Sequence, residues 1–199
     1  MTRFSHLGLG ALLLVAPLSI AEPMDFALDG SHTHIIWQVD RCGFTNTVGS
    51  FTEVEGRLLL DEDNPSASSV TATIALSGLR SDLQEREDIV RGPAWLNAAE
   101  NPMIRFTSTS TTLVDTQGEN DQAMVTGTMT LNGESHPLTL EVKLNKIGTD
   151  PVTKRRAAGF TATGSFSRSE FGIAIAPGFI GDQVTFQIEA LAIATEPAE

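Results

Sequence analysis

The chain has 199 residues, of which 41% are hydrophobic and 19% charged, and its formal net charge at pH 7 is −12. Such an acidic protein is not expected to bind nucleic acid, or an anionic membrane surface, through electrostatic attraction. Cys42 is the single cysteine and has no partner for an intramolecular disulfide, so we expect a small buried apolar residue rather than a nucleophile.

The first 21 residues have the pattern of a secretory signal peptide. Arg3 precedes an apolar run over residues 7–20, and residues 19–21 have the small-x-small form of a signal-peptidase site. Glycine and proline interrupt this run, whereas a transmembrane anchor needs about 20 consecutive apolar residues. The sequence therefore predicts cleavage of residues 1–21, a single domain over residues 22–199 without a transmembrane anchor, and a periplasmic or secreted location.

The rest of the chain is a succession of predicted β-strands. In the first of them Thr33, Ile35 and Trp37 recur with a period of two, which places them on one face. Asn132-Gly133 is typical of a two-residue hairpin, and most other connections are short, so we expect an antiparallel meander. The eight predicted strands cover residues 33–40, 48–60, 70–76, 103–114, 123–131, 138–144, 159–166 and 184–193.

The connection between the third and fourth predicted strands has a helical pattern instead. Leu83 and Val90 lie on one face of a helix with charged residues between them. The sequence predicts one short helix with Ser81 or Asp82 as its N-cap and with its end at Gly92.

An eight-stranded antiparallel sheet can remove its edges by closing into a barrel or by folding into a sandwich, and the strand pattern leaves both open. A closed barrel of this size encloses packed side chains or one small ligand. Small residues facing inward would leave volume unfilled, although glycine in a strand also marks bulges and bends. The residues in question are Gly127, Ala157, Gly159, Ala162, Gly164, Ala190 and Ala192.

Residues with a catalytic pattern are scarce. The sequence contains no G-x-S-x-G elbow, no H-E-x-x-H motif and no phosphate-binding glycine loop. His32 and His34 offer two metal ligands at i and i+2, but a site needs a third, so a metal-dependent or redox enzyme is kept as an alternative only. We expect no catalytic residue, no metal and no cofactor. The stretch FGIAIAPGFIGD, residues 171–182, is more apolar than a solvent-facing loop and could cover the mouth of a cavity.

Four motifs, in this order along the chain, resemble those of one known protein family. LDGSHTHIIWQVDRCGFTNTVGSFTEVEGRLLLDEDNP is similar to its opening, with an Asp-x-x-His start and a Gly-aromatic pair. QEREDIVRGPAWLNAAENPMIRFTSTS resembles its central signature of helix arginines, a turn aromatic and a strand phenylalanine. VTGTMTLNGESHPLTLEVKL resembles its hairpin, and FSRSEFGI its late Arg-x-acidic-Phe-Gly element. Together the motifs span about residues 24–193, and the family that they resemble is the YceI family of exported lipid-binding proteins.

The resemblance implies an all-β fold, an eight-stranded antiparallel lipocalin-like barrel with one short helix in the connection between the third and fourth strands. It further implies a bacterial protein that binds or transports a long isoprenoid-type lipid, such as a polyprenyl quinone or a polyprenyl phosphate, in a channel and without catalysis. A structural stress-response protein without a ligand is a further alternative, and a homodimer is left open.

Nine residues are candidates for lining the channel. Five of them match positions of the family motifs, namely the first histidine, the two helix arginines, the turn aromatic and the strand aromatic. The other four are apolar residues of the predicted strands and of the stretch 171–182, which we call the late loop. In that order they are His32, Arg86, Arg91, Trp95 and Phe106, and Ile35, Trp37, Phe51 and Phe171. Arg41 and Ile89 stand where many members have histidine, which bears on the choice of lipid headgroup.

Overall fold

Eight strand paths run antiparallel around a closed barrel in the computed structural model, which describes residues 22–115 and 122–195. Three of these paths are broken, so the described residues form eleven strands, together with one α-helix. The predicted signal peptide lies outside the described residues. The elements are β1 (Met24–Leu28), β2 (His34–Arg41), β3 (Thr45–Phe51), β4 (Val54–Leu60), β5 (Ser69–Ala75), β6 (Leu79–Arg80), α1 (Gln84–Arg91), β7 (Met103–Asp115), β8 (Gln122–Leu131), β9 (Glu134–Thr149), β10 (Arg156–Ser167) and β11 (Ile180–Ala194).

The topology is a meander that closes on itself. Each path pairs with the next one along the chain, and β11 returns to pair with both β2 and β1. Ile188 lies opposite Ile35, and Ala194 lies opposite Phe26. Because a closed ring pairs both sides of each path, it avoids the exposed edges of an open sheet. The prediction of an eight-stranded antiparallel barrel with one short helix between the third and fourth strands is confirmed.

The first path breaks between β1 and β2, at the segment that begins with Asp29. The Asp29 N–H donates to the Leu191 carbonyl at 2.8 Å, while its carboxylate accepts the Ser31 N–H at 2.9 Å and faces the His32 ring nitrogen Nδ1 at 2.8 Å. The hydroxyl of Ser31, followed by the His32 ring, lowers the pKa of the Asp29 carboxyl from 3.8 to about 2. The opening Asp-x-x-His motif therefore forms a hydrogen-bonded bend.

The helix begins later than the sequence pattern predicts. It starts at Gln84, and Leu83 occupies the N-cap position without a side-chain hydrogen bond. Asp82 has a φ of 57°, a left-handed conformation that is outside the helix. The Ser81 N–H donates to the buried Glu87 carboxylate at 2.7 Å, which joins the segment before the helix to the helix interior, and the prediction of Ser81 or Asp82 as the N-cap is wrong.

The Asn132-Gly133 hairpin has the predicted form. Both residues have positive φ angles, 52° and 82°, which is the conformation of a type I′ turn between β8 and β9.

Buried apolar side chains of the described residues form three clusters rather than one continuous core. None of the helices within residues 22–115 and 122–195 is long and apolar enough to cross a bilayer.

Candidate functional site

The barrel interior contains a cavity of about 790 Å³. Small-molecule sites in proteins commonly occupy about 300–1,000 Å³. All eight strand paths contribute to its wall, which is mainly aliphatic and aromatic. Ile35, Val142 and Ile188 line it and are only partly buried, although they point into the barrel. Their remaining exposure is consistent with an interior that side chains do not fill.

The period of two in each strand builds this wall. On β11 the wall residues run from Ile180 to Ala190. The ten residue-to-residue steps between them, at about 3.3 Å each, correspond to about 33 Å along the strand, or about 25 Å along the barrel axis at a tilt of about 40°. A cavity of this length suits an extended chain. From Thr33, just before β2, to the end of that strand the wall residues alternate in the same way and are Thr33, Ile35, Trp37, Val39 and Arg41.

The cavity has two different ends. We call one the helix end, because it carries α1, the β2–β3 hairpin and residues 168–179, and the other the terminal end, because β1 begins there and β11 finishes there. At the helix end the wall includes Arg41 and Arg86. At the terminal end it includes Glu62, whose carboxylate accepts a hydrogen bond from Arg156 Nε at 3.0 Å, together with small polar side chains. The polar wall residues of the terminal end are Ser68, Ser69, Thr111 and Gln122.

Six of the nine residues predicted to line the channel lie in the cavity wall. They come from four different elements and one loop, and four are aromatic residues that the strands and the turn after α1 direct inward. The six are Ile35, Trp37, Phe51, Arg86, Trp95 and Phe106. Their role in binding stays a prediction.

The other three lie outside the wall, each for a structural reason. His32 precedes β2, has a side chain that is 69% exposed, and contacts Asp29. Arg91 donates to the carbonyls of Leu76 at 3.1 Å and Leu79 at 2.9 Å, so it fixes the helix to the third path. Phe171 is buried beneath the wall. It packs edge-on against Phe166 and His136, with centroid distances of 5.3 and 4.9 Å.

The stretch of residues 171–182, whose apolar sequence predicts a cover for the mouth of a cavity, lies at the helix end. Ile173 lines the cavity, and the Arg168 guanidinium donates to the Ile173 carbonyl at 2.7 Å and to the Ile180 carbonyl at 3.1 Å. The Arg168 guanidinium carbon also lies 5.6 Å from the centroid of the Trp95 ring. Trp95 is thus both a wall residue and the platform for the arginine that holds this loop.

Three glycines in the barrel make room for aromatic rings. A Cβ at Gly127 would lie 2.5 Å from Phe106 Cζ, and a Cβ at Gly164 would lie 2.6 Å from Phe186 Cζ. A Cβ at Gly49 would lie 2.2 Å from Trp37 Cζ2. Two of the other small residues highlighted in the sequence, Ala162 and Ala190, do line the cavity, whereas Ala157, Gly159 and Ala192 do not.

Two arginines of the cavity wall were not among the nine candidates. Arg41 continues the inward series of Ile35 and Trp37 at the same period of two, which was the available signal. Arg168 is the arginine of the FSRSEFGI motif, and its function as the anchor of the late loop depends on tertiary contacts that no local pattern reveals.

The histidine pair does not assemble a metal site in the part of the chain that the structure describes. His34 is exposed and alternates with the inward residues Thr33 and Ile35, so it points away from the cavity. No group of three or more His, Cys, Asp or Glu side chains placed to hold a metal ion occurs within residues 22–115 and 122–195.

A closed antiparallel barrel with a long apolar interior cavity defines the class of lipocalin-like barrels. Within that class the chain belongs to the YceI-like domain family, whose model matches residues 26–192. It is 34% identical to the protein YceI of Salmonella arizonae over 165 residues, which is 83% of each chain.

Two solved structures share the fold. BcnA of Burkholderia cenocepacia has a TM-score of 0.71 at 18% identity, with 82% of this chain and 98% of BcnA covered. A polyisoprenoid binding domain from Saccharophagus degradans has a TM-score of 0.64 at 11% identity, with coverage of 86% and 99%.

Proposed function

We propose that the protein binds and carries a long-chain isoprenoid lipid in its barrel cavity. The observation that carries the proposal is the apolar wall that extends from Ile180 to Ala190 and is built by all eight paths. The polyisoprenoid binding domain from Saccharophagus degradans, which has the same fold, supports this choice of ligand.

The wall supplies the binding free energy that such a ligand needs. Burial stabilises a lipid chain by about 0.8 kcal/mol per CH2 group, so a long chain binds tightly without directional contacts. Aromatic residues such as Trp37, Phe106 and Phe186 present flat surfaces to it. The role is binding rather than catalysis, since the wall is dominated by hydrocarbon side chains and the few polar ones lie at its ends.

The helix end is the place where we expect the headgroup. Arg86 is half-buried in the wall and donates to the Ser81 carbonyl at 3.2 Å. Arg41 is exposed at the same end. The five ion pairs of the described residues include neither of them. A phosphate headgroup would gain from both guanidinium groups, and a quinone would gain much less.

We also propose export, with the predicted signal peptide directing the mature chain to the periplasm or beyond. Cell fractionation of the full-length chain in a bacterial host, with detection of the shortened mature mass, tests this part independently. Retention of the full-length mass in the cytoplasm would contradict it.

Organic extraction followed by mass spectrometry tests the proposed function. Protein exported by a bacterial host should release a polyprenyl lipid in near-stoichiometric amount, and an empty extract from folded protein would argue against a carrier.

A fluorescence titration of lipid-free protein gives the affinity. The chain contains two tryptophans and no tyrosine, and Trp37 and Trp95 both line the cavity, so intrinsic emission reports on the site alone. A long-chain polyprenol, the corresponding polyprenyl phosphate and a polyprenyl quinone should be compared. The Arg86→Ala variant should weaken binding of the phosphate more than of the polyprenol, with Arg86→Lys as the charge-conserving control.

A further inference from the structure

Two phenylalanines project into solvent at the helix end of the barrel. Phe44 in the β2–β3 turn is 90% exposed, and Phe179 in the late loop is 67% exposed. They are the two aromatic residues among the exposed large apolar side chains of the described residues. Full exposure of a phenylalanine has a cost in water, and two on one end of a molecule point to an interaction surface.

Hydrogen bonds join the two turns that carry these phenylalanines. The Cys42 N–H donates to the Phe179 carbonyl at 2.9 Å, and the Cys42 thiol faces the same oxygen at 3.3 Å. The Phe44 N–H closes the hairpin by donating to the Arg41 carbonyl at 3.1 Å. We call the pair Phe44 and Phe179 the aromatic rim, since these hydrogen bonds hold the two turns side by side.

The aromatic rim borders an opening of the cavity. Arg41, which precedes the hairpin turn, and Ile180, which follows Phe179, pair with each other across β2 and β11 and both line the cavity. Ile89 of α1 also lines it and is 54% exposed. Wall residues that are exposed in this way mark a mouth at the helix end.

The charges around the rim suit a lipid surface. Arg41 takes part in none of the ion pairs of the described residues, and the carboxylate of its neighbour Asp40 is turned into the hairpin, where it accepts the Gly43 N–H at 3.0 Å. Arg41 is exposed, and its backbone neighbours those of Phe44 and Phe179. This combination of a guanidinium and two exposed rings matches the interfacial zone of a bilayer, where rings enter the headgroup layer and cations meet phosphate.

We propose that the helix end docks on a phospholipid bilayer through the aromatic rim, so that lipid passes between the membrane and the cavity through the mouth. This inference rests on the proposed function, because a water-insoluble cargo has to enter the cavity without a stay in bulk water. The contact is local and apolar. The net charge of −12 provides no long-range attraction to anionic membranes.

Vesicle flotation and lipid transfer test the proposal on the mature chain. Phe44→Ser/Phe179→Ser is compared with Val114→Ser/Val152→Ser, which removes apolar side chains that are 62% and 85% exposed at the terminal end. On phosphatidylcholine vesicles loaded with polyprenol, the rim variant should float less and take up lipid about tenfold more slowly than wild type. The control variant should match wild type, and raising the salt to about 0.5 M should weaken wild-type flotation only slightly, because the contacts of the two rings are apolar and are not screened.

The readouts separate this proposal from the function on which it rests. The rim variant should keep wild-type affinity for polyprenol added from detergent, with an unchanged thermal melt. Equal flotation and equal uptake by wild type and rim variant would overturn the docking surface. If no variant binds lipid by titration, the proposed function fails, while flotation still judges the rim by itself. A change from dimer to monomer in the rim variant, with flotation unaltered, would assign the rim to self-association and also overturn the proposal.

Discussion

Ala190→Phe should separate lipid binding from folding. Ala190 is the last wall residue on β11, towards the terminal end of the cavity, and lies opposite Phe160 on β10. The substitution directs an aromatic ring into space that the lipid chain would occupy, without removing any hydrogen bond of the barrel. We expect binding to fall while the fold persists.

The magnitude follows from the number of carbons displaced. A phenylalanine side chain has about six more carbons than alanine, and at about 0.8 kcal/mol for each displaced CH2 the loss is at most about 5 kcal/mol. A flexible chain shifts to recover about half of this, so the affinity should fall by about 50-fold, or about 2.4 kcal/mol. Because the ring fills unoccupied apolar volume in the lipid-free barrel, the melting temperature should stay the same or rise.

Tryptophan fluorescence titration with polyprenol and a thermal melt provide the two readouts. Thr163→Phe is the matched control, because it adds a phenylalanine at an exposed position outside the cavity wall on the neighbouring strand. Wild-type affinity in an Ala190→Phe variant with an unchanged melting temperature would refute the assignment of the cavity as the lipid site.

Three further substitutions test how the wall is held in place. Gly49→Ala should destabilise the fold by about 1–3 kcal/mol and shift the emission of Trp37, because the new Cβ would lie 2.2 Å from the Trp37 ring. Gly148→Ala is the control. Its new Cβ would have its nearest heavy atom at 4.0 Å, so it should neither change the Trp37 emission nor destabilise the fold by a comparable amount. Arg168→Met leaves buried carbonyls of the late loop without donors and should cost about 3 kcal/mol or more in denaturant unfolding, and a loss below about 0.5 kcal/mol would contradict the anchoring role. For Asp29 the folded pKa of about 2 lies below the ordinary 3.8, so its stabilising contribution is present above pH 3.8 and is lost as the pH falls towards 2. Solvent screening limits that contribution to about 1 kcal/mol. Asp29→Asn should therefore flatten the dependence of the melting temperature on pH between about pH 2 and pH 3.8. A slope equal to that of wild type would contradict this prediction.

Local patterns identified the elements that alternate strongly, and they missed those that depend on tertiary contacts. The alternation from Thr33 to Val39 predicted β2 and its inward face correctly. β1 has five residues and ends at the Asp29 bend, too short for a period of two to stand out. The predicted N-cap of α1 was wrong because Asp82 has a left-handed conformation and Glu87, six residues away from Ser81, accepts the Ser81 N–H, so the helix begins only after Leu83.

The candidate site shows the same limit at the level of single side chains. A family motif identifies an arginine on a helix but not its partners, and the partners decide whether it faces the cavity. Arg86 reaches the wall, whereas Arg91, five residues later, is drawn towards the carbonyls of Leu76 and Leu79 on the strand side. His32, the histidine of the opening motif, contacts Asp29 in the bend between β1 and β2, so its contact stabilises the bend and does not face the cavity.

Whether a small residue leaves free volume in the barrel depends on the residue that lies opposite it on the neighbouring strand. Gly49 lies opposite Trp37 and Gly164 opposite Phe186, so each glycine is covered by the ring of its partner rather than by empty space. The free volume arises instead where alanine faces the interior, as at Ala190, and from the circumference of an eight-stranded ring. Adding a methyl group at Gly164 would therefore drive the Phe186 ring into the cavity, while the same change at an open position would leave the channel as it is. The pairing register decides whether a glycine is covered by an aromatic ring or leaves free volume, and the sequence of a single strand does not contain that register.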